Sequence, residues 1–85
     1  MSKLTKLLKR IQTKPIDFTW DELSKLLNGC GFEELTKGKT AGSRRQFYNK
    51  ELKIALDLHK PHPKPILKPY QINDVLKILK TAGLL

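Results

Sequence analysis

The apolar positions of this chain fall into patterns of two periods. Leu4, Leu7, Leu8 and Ile11 stand at i, i+3, i+4 and i+7, with the lysines off that stripe. This spacing predicts an amphipathic helix over residues 3–12. Ten residues of helix are marginal alone, so the segment is expected to dock on the domain or on a partner, and Pro15 to end it. A second helix starts at Thr19, which is placed to cap it, with Glu22 three residues on to complete a capping box. Phe18 and Leu23 flank the cap as a hydrophobic staple. Trp20, Leu23, Leu26 and Leu27 form the buried stripe, with Trp20 in the core. Asn28-Gly29 is expected to stop the helix, with Gly29 taking a positive φ.

The period then changes to two. Residues 32–37 read as a short first strand, residues 38–43 as a loop marked by two glycines, and residues 44–48 as a second strand. Asn49-Lys50 is the expected tight turn. Leu52, Ile54, Leu56 and Leu58 alternate with Lys53, Ala55, Asp57 and His59, the pattern of a half-buried third strand paired antiparallel with the second. Pro61, Pro63, Pro65 and Pro69 make residues 60–69 an extended connection. Pro69 suits the first turn of a last helix, on which Ile72, Val75, Leu76 and Leu79 form the apolar stripe. Gly83 is its stop. The fold class expected is α+β: a three-stranded antiparallel sheet packed on two helices, with an extra N-terminal helix. The other sheet face is left to water and to ligand. Residues 1–85 are expected to form one domain, with 1–14 a helical extension and 18–85 the core.

Charge narrows the function. The formal net charge is +9 with a pI near 9.9, which speaks about partners rather than fold. Residues 1–14 carry Lys3, Lys6, Lys9, Arg10 and Lys14 and no acid. Between Lys37 and Lys68 the only acids are Glu51 and Asp57, against nine Lys or Arg. A basic surface of this kind is the footprint of a nucleic-acid binder. The single cysteine, Cys30, excludes an intramolecular disulfide and reads as a small apolar filler in a reducing compartment. No apolar run approaches the roughly 20 residues of a membrane span. The basic N-terminus lacks the apolar stretch of a signal peptide, so a cytoplasmic protein without a membrane partner is expected. The first helix has no aromatic anchor for a lipid surface. Two histidines and a distant cysteine are too few for a metal site, and no cofactor is expected.

The candidate chemistry lies in two segments. Lys37, Lys39, Ser43, Arg44 and Arg45 surround the loop before the second strand and are candidate phosphate contacts, since arginine grips phosphate bidentately. His59, Lys60, His62 and Lys64 follow the third strand. Cleaving RNA without metal needs a base for the 2′-hydroxyl proton, an acid for the leaving oxygen, and cations for the charged phosphorus centre. Histidine suits both proton transfers. His59 shares a face with Ala55 and Asp57, while Arg44, Gln46 and Tyr48 share one on the second strand. If those faces coincide, Arg44, Asp57 and His59 converge, with Asp57 placed to orient His59. The alternative is a surface histidine, or one hydrogen-bonded to the proline-rich segment. Tyr48 is either a half-buried strand residue or a stacking platform for a base.

Taken together, these motifs resemble a known family. Trp20-Asp21-Glu22-Leu23, Gly29-Cys30-Gly31-Phe32, Lys39-Thr40-Ala41-Gly42-Ser43-Arg44, Leu58-His59-Lys60-Pro61-His62-Pro63 and residues 75–84 are similar, in order and spacing, to the HicA toxins. The likeness covers roughly residues 18–85. It implies a double-stranded-RNA-binding-domain-like fold and a type II toxin–antitoxin component. It also implies an endoribonuclease that cuts mRNA, neutralised by a cognate HicB-like antitoxin in a hetero-oligomer. The family's best-known pattern puts Gly-Ser-His in the loop, with that histidine catalytic. Here Arg44 holds the position, so the chain resembles a subgroup with Gly-Ser-Arg in the loop and His-x-Pro-His-Pro after the third strand. RNA binding carries over directly, and proton transfer would then fall to His59 and His62. The other readings are a non-catalytic RNA-binding domain of the same fold and a basic module that binds an acidic protein.

Overall fold

A computed structural model describes residues 3–35, 44–61 and 64–85, except the side chain of Arg44. Lys37, Lys39, Ser43 and His62 lie outside the described residues. The element order is α1 (Lys3–Gln12), α2 (Trp20–Gly29), β1 (Phe32–Leu35), β2 (Arg44–Asn49), β3 (Ile54–His59) and α3 (Pro69–Thr81). The strands form one antiparallel sheet in the order β1-β2-β3. This is the α+β arrangement that the two periods predict.

Alternation along the strands gives the sheet two unlike faces. Phe32, Phe47, Leu56 and Leu58 are buried under the helices. Glu33, Ala55, Asp57 and His59 are exposed on the other face, with Gln46 and Tyr48 half-buried there. α2 packs against β1, and α3 against β3. Leu23, Leu26, Leu27, Val75 and Leu79 fill the layer between. Each fully buried side chain of this size contributes about 1.5–3 kcal/mol of transfer free energy. Trp20 is core, its ring 5.8 Å from that of Phe47.

α1 docks on the domain. It packs on α2 and α3 rather than on the sheet, burying Ile11 with Leu4, Leu7 and Leu8 beside it. Arg10 holds its C-terminal end to the start of α2, reaching Glu22 and Asp17 at 2.9 Å each.

The helix ends explain the rest of the frame. The hydroxyl of Thr19 accepts from the Glu22 N–H at 3.2 Å, and a Glu22 carboxylate oxygen accepts from the Thr19 N–H at 3.0 Å. This is the predicted capping box. At the other end of α2 the expectation fails by two residues. Gly29 stays helical, and the positive φ, 94°, falls on Gly31. A Cβ on Gly29 would stand 2.8 Å from a methyl of Leu4, so Gly29 makes room for α1 rather than for a turn. α3 starts at Pro69 and ends as predicted. Gly83 has φ 76°, and the N–H groups of Gly83 and Leu84 donate to the carbonyls of Lys80 and Leu79, a Schellman motif.

The β2–β3 connection is longer than the tight turn expected at Asn49-Lys50. Residues 50–53 form it, with Lys53 at φ 55°. Leu52, placed by periodicity in the strand, is in this turn and 42% exposed. Buried Asn49 organises the turn. Its side-chain oxygen accepts from the Leu52 N–H at 3.0 Å, and its amide donates to the Cys30 carbonyl at 3.2 Å.

Candidate functional site

The topology gathers several segments at one end of the sheet. β1 finishes there at Leu35, β2 begins at Arg44, and β3 finishes at His59. Only Cys30 and Gly31 separate α2 from β1, so the start of α2 lies at this end as well. The proline-rich connection is fastened to it. The Trp20 N–H donates to the Pro65 carbonyl, and the Leu67 N–H to the Phe18 carbonyl, both at 2.8 Å.

Arg44 pairs directly with His59 across β2 and β3. The end of the Gly-Ser-Arg loop is therefore opposite the start of the His-Lys-Pro-His-Pro segment. His59 is exposed on the open face beside Asp57, which pairs with Gln46. Among the described residues no hydrogen bond or ion pair joins Asp57 to His59, so the expected orienting contact is not made. His59 is held through its backbone instead. Its carbonyl accepts from the side-chain amide of Gln71 at 2.7 Å. Gln71 is 2% exposed, and its amide oxygen accepts from the Lys68 N–H at 3.0 Å. One buried amide thus ties the end of β3 to the start of α3.

Arg45 faces the other way. It shares the helix-side face with Phe47 and lies 3.5 Å from Glu34 on β1. Together with Trp20, Asp21, Ser24, Glu34 and Lys60 it lines an open cleft of about 390 Å³. Two carboxylates and two cations face each other in this cleft. Arg45 and Lys60 thus stand on the helix side, and His59 on the open side, of one sheet end. Lys64 is exposed just beyond.

Cys30 is half-buried, and burial pushes its thiol above the ordinary range. Among the described residues no cation stabilises its thiolate, so it suits packing and not nucleophilic attack. No group of three metal-ligating side chains occurs among the described residues, and among them no helix is long and apolar enough to cross a membrane.

Gln71, Glu34, Asp21 and Ser24 were not among the site residues expected from sequence. Gln71 did carry a signal, since Gln three residues into a helix is the second half of a capping box.

No curated protein and no solved structure matches this chain. The family model described as the HicA toxin of bacterial toxin–antitoxin systems matches residues 20–84. That span runs from Trp20 in the cleft wall, through the paired Arg44 and His59, to the turn that closes α3. It takes in most of the 85 residues, and the chain therefore belongs to the HicA toxin family.

Proposed function

We propose that this toxin is a metal-independent endoribonuclease that acts on mRNA in the cytoplasm and is neutralised by a cognate HicB-like antitoxin. The observation that carries the reading is the pairing of Arg44 with His59, which joins two basic segments at an exposed sheet end. In this reading His59 and His62 transfer the protons. One histidine takes the proton of a 2′-hydroxyl, and the 2′-oxygen bonds to phosphorus. The other gives a proton to the departing 5′-oxygen. The products are a 2′,3′-cyclic phosphate and a 5′-hydroxyl end. Lys37, Lys39, Ser43, Arg44 and Arg45 contact phosphate from the loop side, and Lys60 and Lys64 from the β3 side, offsetting charge at phosphorus. The antitoxin covers this basic end or brings acidic groups to it. The order α2-β1-β2-β3-α3 supports a double-stranded-RNA-binding-domain-like description. Residues 1–85 act as one domain, with 18–85 the HicA-like core and 1–14 an extension of it.

Incubating the purified protein with RNA, with and without EDTA, tests the proposal. EDTA-insensitive cleavage is expected, and His59→Ala should slow it by about 10²–10⁴-fold. Cleavage at the wild-type rate by His59→Ala would overturn the catalytic assignment. Arg44, standing where the family pattern has a histidine, favours a second reading as a non-catalytic RNA-binding domain. Binding without cleavage would select it. Loss of any salt-sensitive RNA affinity would select a basic protein-interaction module instead.

A further inference from the structure

The family match begins at residue 20 and leaves α1 without a role. We infer that α1 is a second phosphate-binding surface, which extends the RNA footprint from the His59 end of the sheet along the helical layer. The inference rests on the RNA-binding reading above.

The five cations of residues 1–14 have separate uses. Arg10 is taken up by Asp17 and Glu22, and so serves structure. Lys3, Lys6 and Lys9 are exposed, and among the described residues none of them has an ion-pair partner. α1 contains no acid to offset them. They therefore present uncompensated positive charge over about 9 Å of helix, the rise from Lys3 to Lys9. At the roughly 3.4 Å per charge of one strand of a duplex, that length matches about three phosphates.

The helix also points the right way. Arg10 fixes its C-terminal end against residues 17–22, and residues 18–20 are bonded to Pro65 and Leu67. Exposed Lys14 follows α1, and exposed Lys64 precedes Pro65. A path of cations thus runs along α1 toward the sheet end that carries His59 and Lys60. A strand leaving that end passes the junction where Arg10 offsets Asp17 and Glu22, and then meets α1, which carries no acid of its own.

A lipid surface fits less well. An interfacial helix must turn its apolar face to the acyl chains. Here that face is spent inside the protein, with Ile11 fully buried and Leu4 packed over Gly29. α1 also has no aromatic side chain.

The test compares two full-length variants that lose equal charge, Lys6→Gln/Lys9→Gln on α1 and Lys50→Gln/Lys53→Gln in the β2–β3 turn. Binding of a 30-nucleotide single-stranded RNA and of a 6-nucleotide one is followed by fluorescence anisotropy over a salt series. For the long RNA, the α1 variant should lose about 1.4 from the slope of log Kd against log salt, and the turn variant much less. Binding of the short RNA should be nearly the same in all three proteins. Equal slopes for wild type and the α1 variant would overturn the inference while leaving the RNA-binding reading intact. If wild type binds neither RNA, the underlying reading fails. An α1 variant that keeps wild-type RNA slopes but loses binding to vesicles rich in phosphatidylglycerol would assign the helix to membranes instead.

Discussion

The side-chain amide of Gln71 donates to the carbonyl of His59 at 2.7 Å, and its oxygen accepts from the N–H of Lys68 at 3.0 Å. The reverse orientation of the amide would set oxygen against oxygen and N–H against N–H, so the pairing fixes the assignment. Gln71→Leu removes both bonds at a buried position and leaves a carbonyl and an N–H unsatisfied. Both bonds are part-buried, so each group left unpaired costs about 1 kcal/mol, the low end of the range for buried groups. Urea unfolding should show a loss of at least that size. Gln71→Glu keeps the acceptor but sets a carboxylate oxygen against the His59 carbonyl, and should be as damaging near neutral pH. A loss below 0.5 kcal/mol for both, a rough threshold under the cost of one unpaired group, would mean that water replaces the amide.

Two glycines at the end of α2 should respond differently to alanine. Gly31 has φ 94° with Asn49 Nδ2 3.2 Å from where a Cβ would sit. Gly31→Ala therefore combines backbone strain with pressure on the side chain that organises the β2–β3 turn, and should cost more than about 1 kcal/mol. Gly29 is helical, where alanine is intrinsically better by about 1 kcal/mol. Its new methyl would meet only the movable end of Leu4. Gly29→Ala should be close to neutral in denaturant melts, and Gly29→Leu should undock α1. Amide exchange reads the second effect as lost protection confined to residues 3–12.

Those glycines mark where the sequence was and was not legible. The capping box at Thr19 and the Pro69-to-Gly83 helix could be read because their signals are local. The close approach of Leu4 to Gly29, from more than twenty residues away, has no local signal, and neither has the positive φ at Gly31. Leu52 continued an alternating pattern, but the Asn49 side chain captures its N–H and diverts the chain into a turn. At the site, the alternation of β2 already separates position 45 from His59, because 45 and 47 share a face. The capping half of the Gln71 role has a local signal, but its bond to the His59 carbonyl, twelve residues away, has none.

Acid should weaken the α1–α2 junction. Desolvation disfavours the charged form of Glu22, but hydrogen bonds from Arg10 and Thr19 outweigh it and hold the carboxyl below its ordinary range. A group with a depressed folded pKa stabilises the fold above its unfolded value, and that contribution is lost as pH falls through the folded one. The unfolded value is about 4.3. Wild type should lose urea resistance below that pH more steeply than Glu22→Gln, whose side chain does not titrate. Near neutral pH the variant should be the less stable of the two. Parallel pH curves for the two proteins would show that other carboxylates govern acid unfolding.

The 3.5 Å pair between Glu34 and Arg45 sets a limit on phosphate contact from the helix side. A carboxylate beside Arg45 offsets part of its charge and repels an approaching phosphate. Glu34→Gln retains a hydrogen-bond acceptor at nearly the same shape while removing that repulsion. If Arg45 holds phosphate, the variant should bind single-stranded RNA more tightly, and its log Kd against log salt slope should steepen by up to about 0.7. The gain should vanish in an Arg45→Gln background, because the effect of Glu34 acts through Arg45. A gain that survives in that background would reflect net charge alone. Weaker binding by Glu34→Gln would mean that the carboxylate positions Arg45 rather than restrains it, and the cleft would then work as a preassembled pair.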